Sequence, residues 1–270
     1  MSLVIPLLSS TDNELNSYCN FIEYSCFREG EIYFDEFDTV GDGALKLDDI
    51  LKELQRRLDY YNTFVPYSIK KDHILSTLDN SDTKNLHYLY CLYYSIEGGS
   101  APASITNIFE VITDNCLKNY FSTNFSHITS AGQSNKNLKS SIEKVRKMLK
   151  EDEGNLKNLS SQAKDGGIDI ITYLPFDDRG NQVVCLTDAT IGKNWKIQKK
   201  VKIKLGHWRD FIQFKVIPIS CLSVVHIIED IYFHSASRDN GLLFDRARIM
   251  KFFKMDSNIE KDLTTWLSGL

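Results

Sequence analysis

Asp169 and Asp188 are the two residues around which a reaction could be built. They stand within KDGGIDIITYLPFDDRGNQVVCLTDATIGKNW, residues 164–195. Breaking a phosphodiester at neutral pH requires a deprotonated water and neutralisation of the charge that develops at phosphorus. One divalent cation can supply both. Magnesium takes hard oxygen ligands, usually one or two carboxylates, with water and substrate filling the remaining positions. The spacing predicts strands over 167–174 and 182–188, joined by the turn-forming PFDDRGN. Asp169 then lies in the first strand and Asp188 at the end of the second, where antiparallel pairing in a suitable register brings them together. A lysine beside them would offset the excess negative charge and orient water or stabilise the transition state.

The order of these residues resembles the PD-(D/E)XK nuclease superfamily. The resemblance rests on D-G-G-I-D in one strand, then an acidic or amide residue and a lysine at the end of the next. More narrowly, the stretch is similar to a restriction-endonuclease-like bacterial group whose hairpin ends in Q-C-A-T-G-K-N-W. FEVITDNCLKNYF fits its first core helix and GLLFDRARI its closing one, so the likeness covers most of residues 104–250 and, more loosely, 51–95. It implies an α/β or α+β fold with a mixed sheet flanked by helices, and a metal-dependent endonuclease using Mg²⁺ or Mn²⁺. Asp169 would be the main ligand, and Asp188, where the group commonly has Gln, the second. The Ala189 carbonyl would assist them, and Glu110, on the helix before the sheet, would act through water.

The lysine departs from the pattern. Two residues after Asp188 stands Thr190, which carries no charge. Lys193 lies five residues on, so in a regular strand it would point to the opposite face. Gly192 would permit a bulge or kink that restores the parity. The resembling group tolerates a displaced lysine, and the resemblance thus implies the lysine role for Lys193. Asp165 and Thr190 are supporting or turn residues. Each residue also has a plainer reading: Asp165 and Asp169 as turn formers around a glycine pair, Asp188 and Thr190 as strand-end caps, Glu110 on an exposed helix face. Thr190 in the usual lysine position also favours a rival, a non-catalytic nucleic-acid-binding or assembly subunit built on the same fold.

Directly after the hairpin, KNWKIQKKVKIK (residues 193–204) carries six lysines and otherwise neutral residues. Lysines such as Lys196, Lys199, Lys200 and Lys202 can hold phosphates without reading sequence, and Trp195 and Trp208 could stack on bases. The alternative is a solvated loop or a lysine-protected edge strand. Arg246 and Arg248 meet either the nucleic-acid backbone or local carboxylates. DNA is the expected target ahead of RNA, and double-strand cleavage by a one-site nuclease would call for a homodimer.

The elements that must position these residues are legible in outline. Helices are predicted over 47–61, 104–121 (with Ser104 or Thr106 as N-cap) and 138–151. Residues 85–96 read as a helix or a buried strand. In the helix over 104–121, Ile108, Ile112, Cys116 and Leu117 share one stripe. Shorter elements are a strand over 124–129, a helix over 206–214, a strand over 221–228 and a helix over 241–253. EGGSAPAS (97–104) is the clearest breaker and divides residues 1–100 from 101–270. The first hundred residues hold 17 acidic and 8 basic side chains, and the remainder 19 and 24. The acidic helical region is therefore the expected dock for a protein partner, in restriction or antiphage defence by family analogy.

With 42% apolar and 25% charged residues, 15 Phe and 13 Tyr, the chain can build a substantial core. No apolar run nears the roughly 18–20 residues of a membrane span. The opening MSLVIPLLSS lacks a basic leader, so a cytoplasmic location is expected. Six scattered cysteines without a C-x-x-C pair argue for reduced thiols and against zinc. DTVGDGALKLDD (38–49) mimics a calcium loop at Asp38, Asp42 and Gly43, but Val40, Lys46 and Asp49 break the pattern. No phosphate-cradling glycine loop and no nucleophile elbow is present.

Overall fold

A computed structural model describes residues 14–35, 46–98, 102–129, 138–156, 167–198 and 201–270. The calcium-like loop, apart from Lys46 onward, lies outside the described residues, as do Asp165, Lys199 and Lys200.

The fold is α+β. A five-stranded mixed sheet has the order β10-β9-β7-β6-β4, comprising β4 (Ser126–Ile128), β6 (Ile170–Leu174), β7 (Val183–Thr190), β9 (Ile219–Val224) and β10 (Leu242–Phe244). β6 pairs antiparallel with both β4 and β7, whereas β7, β9 and β10 run parallel. β7 is central and covered on both faces, which is why five successive residues of VVCLTDAT, Val184 to Asp188, are buried.

Alternation along β7 sends side chains into two apolar clusters. Cys185 joins the cluster containing Ile112 and Cys116 of α4 (Ala103–Phe121). Val184 and Leu186 join the cluster containing Val145 of α5 (Leu138–Leu149) and Trp208 of α7 (Val201–Phe211). The α4 cluster also takes in Leu54 of α2 (Leu47–Tyr61), Leu92 of α3 (Leu86–Glu97), Cys19 of α1 (Glu14–Glu29) and Trp266 of α10 (Ser257–Ser268). One apolar core therefore draws on residues from both sides of position 100. A buried ion cluster ties the same parts together. Arg246, at the start of α9 (Arg246–Phe252), bonds Tyr61 Oη at 2.8 Å, Ser95 Oγ at 2.9 Å and Asn20 Oδ1 at 2.9 Å. Glu23 takes Arg57 at 2.7 Å and Arg246 at 3.4 Å.

Smaller elements complete the fold. β1 (Glu31–Tyr33), β3 (His73–Ser76) and β2 (Tyr67–Ile69) form an antiparallel sheet in that order. β5 (Asp152–Glu153) pairs with β8 (Ile212–Gln213).

Several elements differ from the sequence reading. GLLF, expected to open a helix, is strand β10, because Gly241 ends α8 (Asp230–Asn240) and the next three residues find a parallel partner in β9. The helix begins only after Asp245, whose carboxylate caps it by accepting from the Arg248 N–H. The N-cap of α4 is Pro102, not Ser104 or Thr106. The described part of the lysine run contributes α6 (Trp195–Gln198) and the first turn of α7 rather than an edge strand. All six cysteines are buried thiols. Among the described residues no helix is long and apolar enough to cross a membrane.

Candidate functional site

Asp169 stands immediately before β6. Its N–H donates to the Thr187 carbonyl at 2.9 Å, although Thr187 is already the register partner of Ile170. Two residues of one strand thus face one of the other, the pattern of a β-bulge. The Asp169 carbonyl accepts from the Thr129 N–H at 2.7 Å, and its Oδ2 accepts from the Ala189 N–H at 2.8 Å. Asp169 is therefore fixed between the two neighbours of Asp188, from backbone to carboxylate.

Asp188 is 1% exposed and shares its side of β7 with Val184 and Leu186, the side covered by α7. Its Oδ2 accepts from the ammonium of Lys204, on the first turn of α7. Lys204 reaches it by lying across Gly167, where a β-carbon would stand 2.7 Å from the lysine Cε. Gly167 also has φ +70°, a conformation that suits glycine. The second glycine of the doublet is thus required twice, for its backbone angle and for the path of the lysine. Lys204 is the residue beside Asp188 that sequence reasoning does not single out. Its parity relative to Asp188 could not be counted along a strand, because it arrives from a helix. A signal was nevertheless present, since Val201, Leu205 and Trp208 have helical spacing and place their lysines on a helix over the sheet.

Lys193 takes another course. Its stem crosses Gly98, where a β-carbon would lie 2.1 Å from Lys193 Cγ, and it lines a cavity with His226. The cation on Asp188 is therefore Lys204, supplied by α7. Gly192 has no positive φ and adds no left-handed kink. Thr190 Oγ1 accepts from the Gly192 N–H at 3.2 Å, which is turn chemistry. Glu110 is buried on α4, the helix that covers the face of the sheet opposite Asp188. It belongs to the same end of the sheet as Asp169. Thr123, just past the C-terminus of α4, bonds the Tyr173 carbonyl at the far end of β6. Thr113, one turn after Glu110, meets Ser223, the register partner of Ala189.

The expected nucleic-acid contacts are largely occupied within the protein. Trp195 is 3% exposed and Trp208 is fully buried, so neither offers a face for base stacking. Lys196 pairs with Glu229 at 3.3 Å and sits 3.8 Å from the centre of the Tyr232 ring. Lys202 donates to the Ser237 and Arg238 carbonyls near the C-terminus of α8, where a cation is favoured. Arg246 is buried in the ion cluster, and Arg248 bonds the Leu243 carbonyl at 2.7 Å.

Asp169, Asp188 and the Ala189 carbonyl offer hard oxygens, with Lys204 beside Asp188, and ligands of this kind would suit a magnesium-class cation. Among the described residues no group of three or more His, Cys, Asp or Glu side chains is gathered as a metal site.

No family model matches the chain, and no curated protein matches it. A solved structure, the protein VC1899 from Vibrio cholerae, aligns over 94% of this chain and 52% of its own, at 11% identity and a TM-score of 0.25. The chain spans about half the length of that protein, and a likeness this slight carries no argument.

Proposed function

We propose that the chain is a metal-dependent nuclease whose centre is Asp169 and Asp188, with the Ala189 carbonyl, at the open end of the β6–β7 hairpin. The observation that carries this reading is that Asp169 is locked to Ala189 while Lys204 is placed on Asp188. Two carboxylates and a lysine thus occupy one hairpin end. Asp169 and Asp188 would hold Mg²⁺ or Mn²⁺, which when bound neutralises phosphate charge and lowers the pKa of water. The Ala189 N–H orients the Asp169 carboxylate, and the bulge fixes its backbone, so little reorganisation is needed when a substrate arrives. Lys204 takes the part that the family likeness assigned to Lys193, balancing Asp188 and presenting positive charge to a phosphoryl oxygen. Glu110, on the other face, would act through water at the same end of the sheet. The substrate is DNA in preference to RNA, and a homodimer would serve double-strand cleavage.

A second reading is favoured by a specific observation. Asp188 is fully buried and already paired, as expected of a fold retained for binding or assembly after catalysis is lost.

The test is nicking and cleavage of supercoiled DNA, linear DNA, single-stranded DNA and RNA with Mg²⁺ or Mn²⁺, comparing wild type with Asp169→Ala. Metal-dependent cleavage that disappears in the variant supports the nuclease. Absence of both cleavage and metal binding in the wild type supports the non-catalytic subunit.

A further inference from the structure

A cavity of about 50 Å³ opens past the C-terminal ends of the parallel strands β7 and β9. Ligands of α/β sheets bind in the crevice outside these strand ends. Lys193 and Lys196 reach the cavity from the segment after β7, and His226 and Glu229 from the segment after β9. Asn16, Asn20 and Ser95 line it from α1 and α3. These three are also the residues that the buried arginines hold. Arg57 bonds the Asn16 carbonyl at 3.0 Å and Asn20 Oδ1 at 2.9 Å, and Arg246 bonds Asn20 Oδ1 and Ser95 Oγ, each at 2.9 Å. The lining is thus held by two guanidiniums that are themselves paired with Glu23.

His226 is 8% exposed and its ring hydrogen-bonds the Gly192 backbone, yet its Nε2 is buried without a hydrogen-bond partner. A buried polar atom left in this way is uncommon and calls for an explanation. Burial pushes the imidazole pKa down to about 4, and Arg246, Lys193 and Lys196 push in the same direction. The ring is accordingly neutral near pH 7 and lies in a positive field.

We propose that this cavity binds a phosphate group, with Lys193 and Lys196 supplying charge and His226 Nε2 a hydrogen-bond partner. The volume has room for one tetrahedral oxyanion. The lining carboxylate, Glu229, accepts from Lys196 and from Asn16 Nδ2, each at 3.3 Å. Together with a neutral imidazole nitrogen, it favours an oxyanion that keeps a proton to donate, which phosphate does and sulfate does not. The site is separate from the hairpin centre and goes beyond the nuclease reading.

The test is calorimetric titration of the full chain with inorganic phosphate, in metal-free buffer at about pH 6.5. Saturable binding is expected. Lys193→Gln should weaken it about tenfold or more, while Lys202→Gln, which removes the same charge elsewhere on the lysine run, should leave it nearly unchanged. His226→Gln gives a second, independent loss, and sulfate should bind about tenfold more weakly. Competition by a 5′-phosphorylated dinucleotide, but not by its 5′-hydroxyl counterpart, identifies a strand end as the source of the phosphate. Phosphate binding without that competition identifies a small phosphate instead. Absence of saturable binding, equal weakening by Lys202→Gln, or equal binding of sulfate would overturn the proposal. Because metal is absent and Asp169 is unchanged, failure here is distinguishable from failure of the nuclease reading.

Discussion

Lys204 pairs with Asp188 by lying across Gly167, so one residue of the glycine doublet governs whether helix and hairpin can join their charges. A methyl group at Gly167 would occupy the path of the lysine and would also disfavour the left-handed backbone by about 1–2 kcal/mol. Gly167→Ala should therefore lower the urea midpoint and reduce cleavage as far as loss of Lys204 does. Retention of full activity with only a stability loss would separate the glycine from the site.

The ion pair itself is testable by a double-mutant cycle. Removing Lys204 takes a cation away from a carboxylate that is 1% exposed, whereas the lysine side chain is 23% exposed. Lys204→Met should cost about 3 kcal/mol. Adding Asp188→Asn should restore much of that stability without restoring cleavage. Additive losses would mean that the two side chains do not interact.

The cluster of Glu23, Arg57 and Arg246 predicts that the chain unfolds as one unit. All three side chains are fully buried, and they join α1, α2 and α9. Arg246→Met should cost about 3–5 kcal/mol by leaving Glu23 short of a partner. Trp266 reports on one apolar cluster, and Trp195 and Trp208 on the other. Single-tryptophan variants should therefore share one denaturation midpoint, and separated midpoints would show two independent units.

Stability should fall on mild acidification. His87 and His226 are buried, and burial lowers each imidazole from an ordinary value near 6.5 to about 4. Below pH 6.5 the unfolded chain takes up protons that the folded chain refuses. Stability is then lost as pH falls from about 6.5 to about 4, by up to about 1.4 kcal/mol per pH unit for each ring. Burial alone would raise the Glu23 carboxyl, but Arg246 and Arg57 hold it below its usual range. Its contribution is complete above the ordinary carboxylate pKa and is lost only at lower pH. Thermal midpoints across this range should fall less steeply in His87→Phe, where the ring stacks 4.3 Å from Phe253.

The amino-acid sequence by itself determined the local pieces whose signals are periodic. Leu47–Tyr61 is a helix with its stripe of Ile50, Leu54, Arg57 and Tyr61 buried, because 3.6-residue periodicity is a property of neighbouring residues alone. The β6–β7 hairpin is legible for a related reason, because strand residues and the PFDDRGN turn between them are also local signals. Helix α10 is as local a signal, with its Asp256 cap and its stripe of Ile259, Leu263 and Trp266 at helical spacing. Tertiary structure alone decided which lysine meets Asp188, that Trp195 and Trp208 are core residues, and that Arg246 faces Glu23, 223 positions away. A charge run is ambiguous in sequence because solvent, substrate and a buried carboxylate all satisfy an ammonium. Only the packing of α7 against β7 selects among them, and that packing is set by apolar residues interleaved with the lysines.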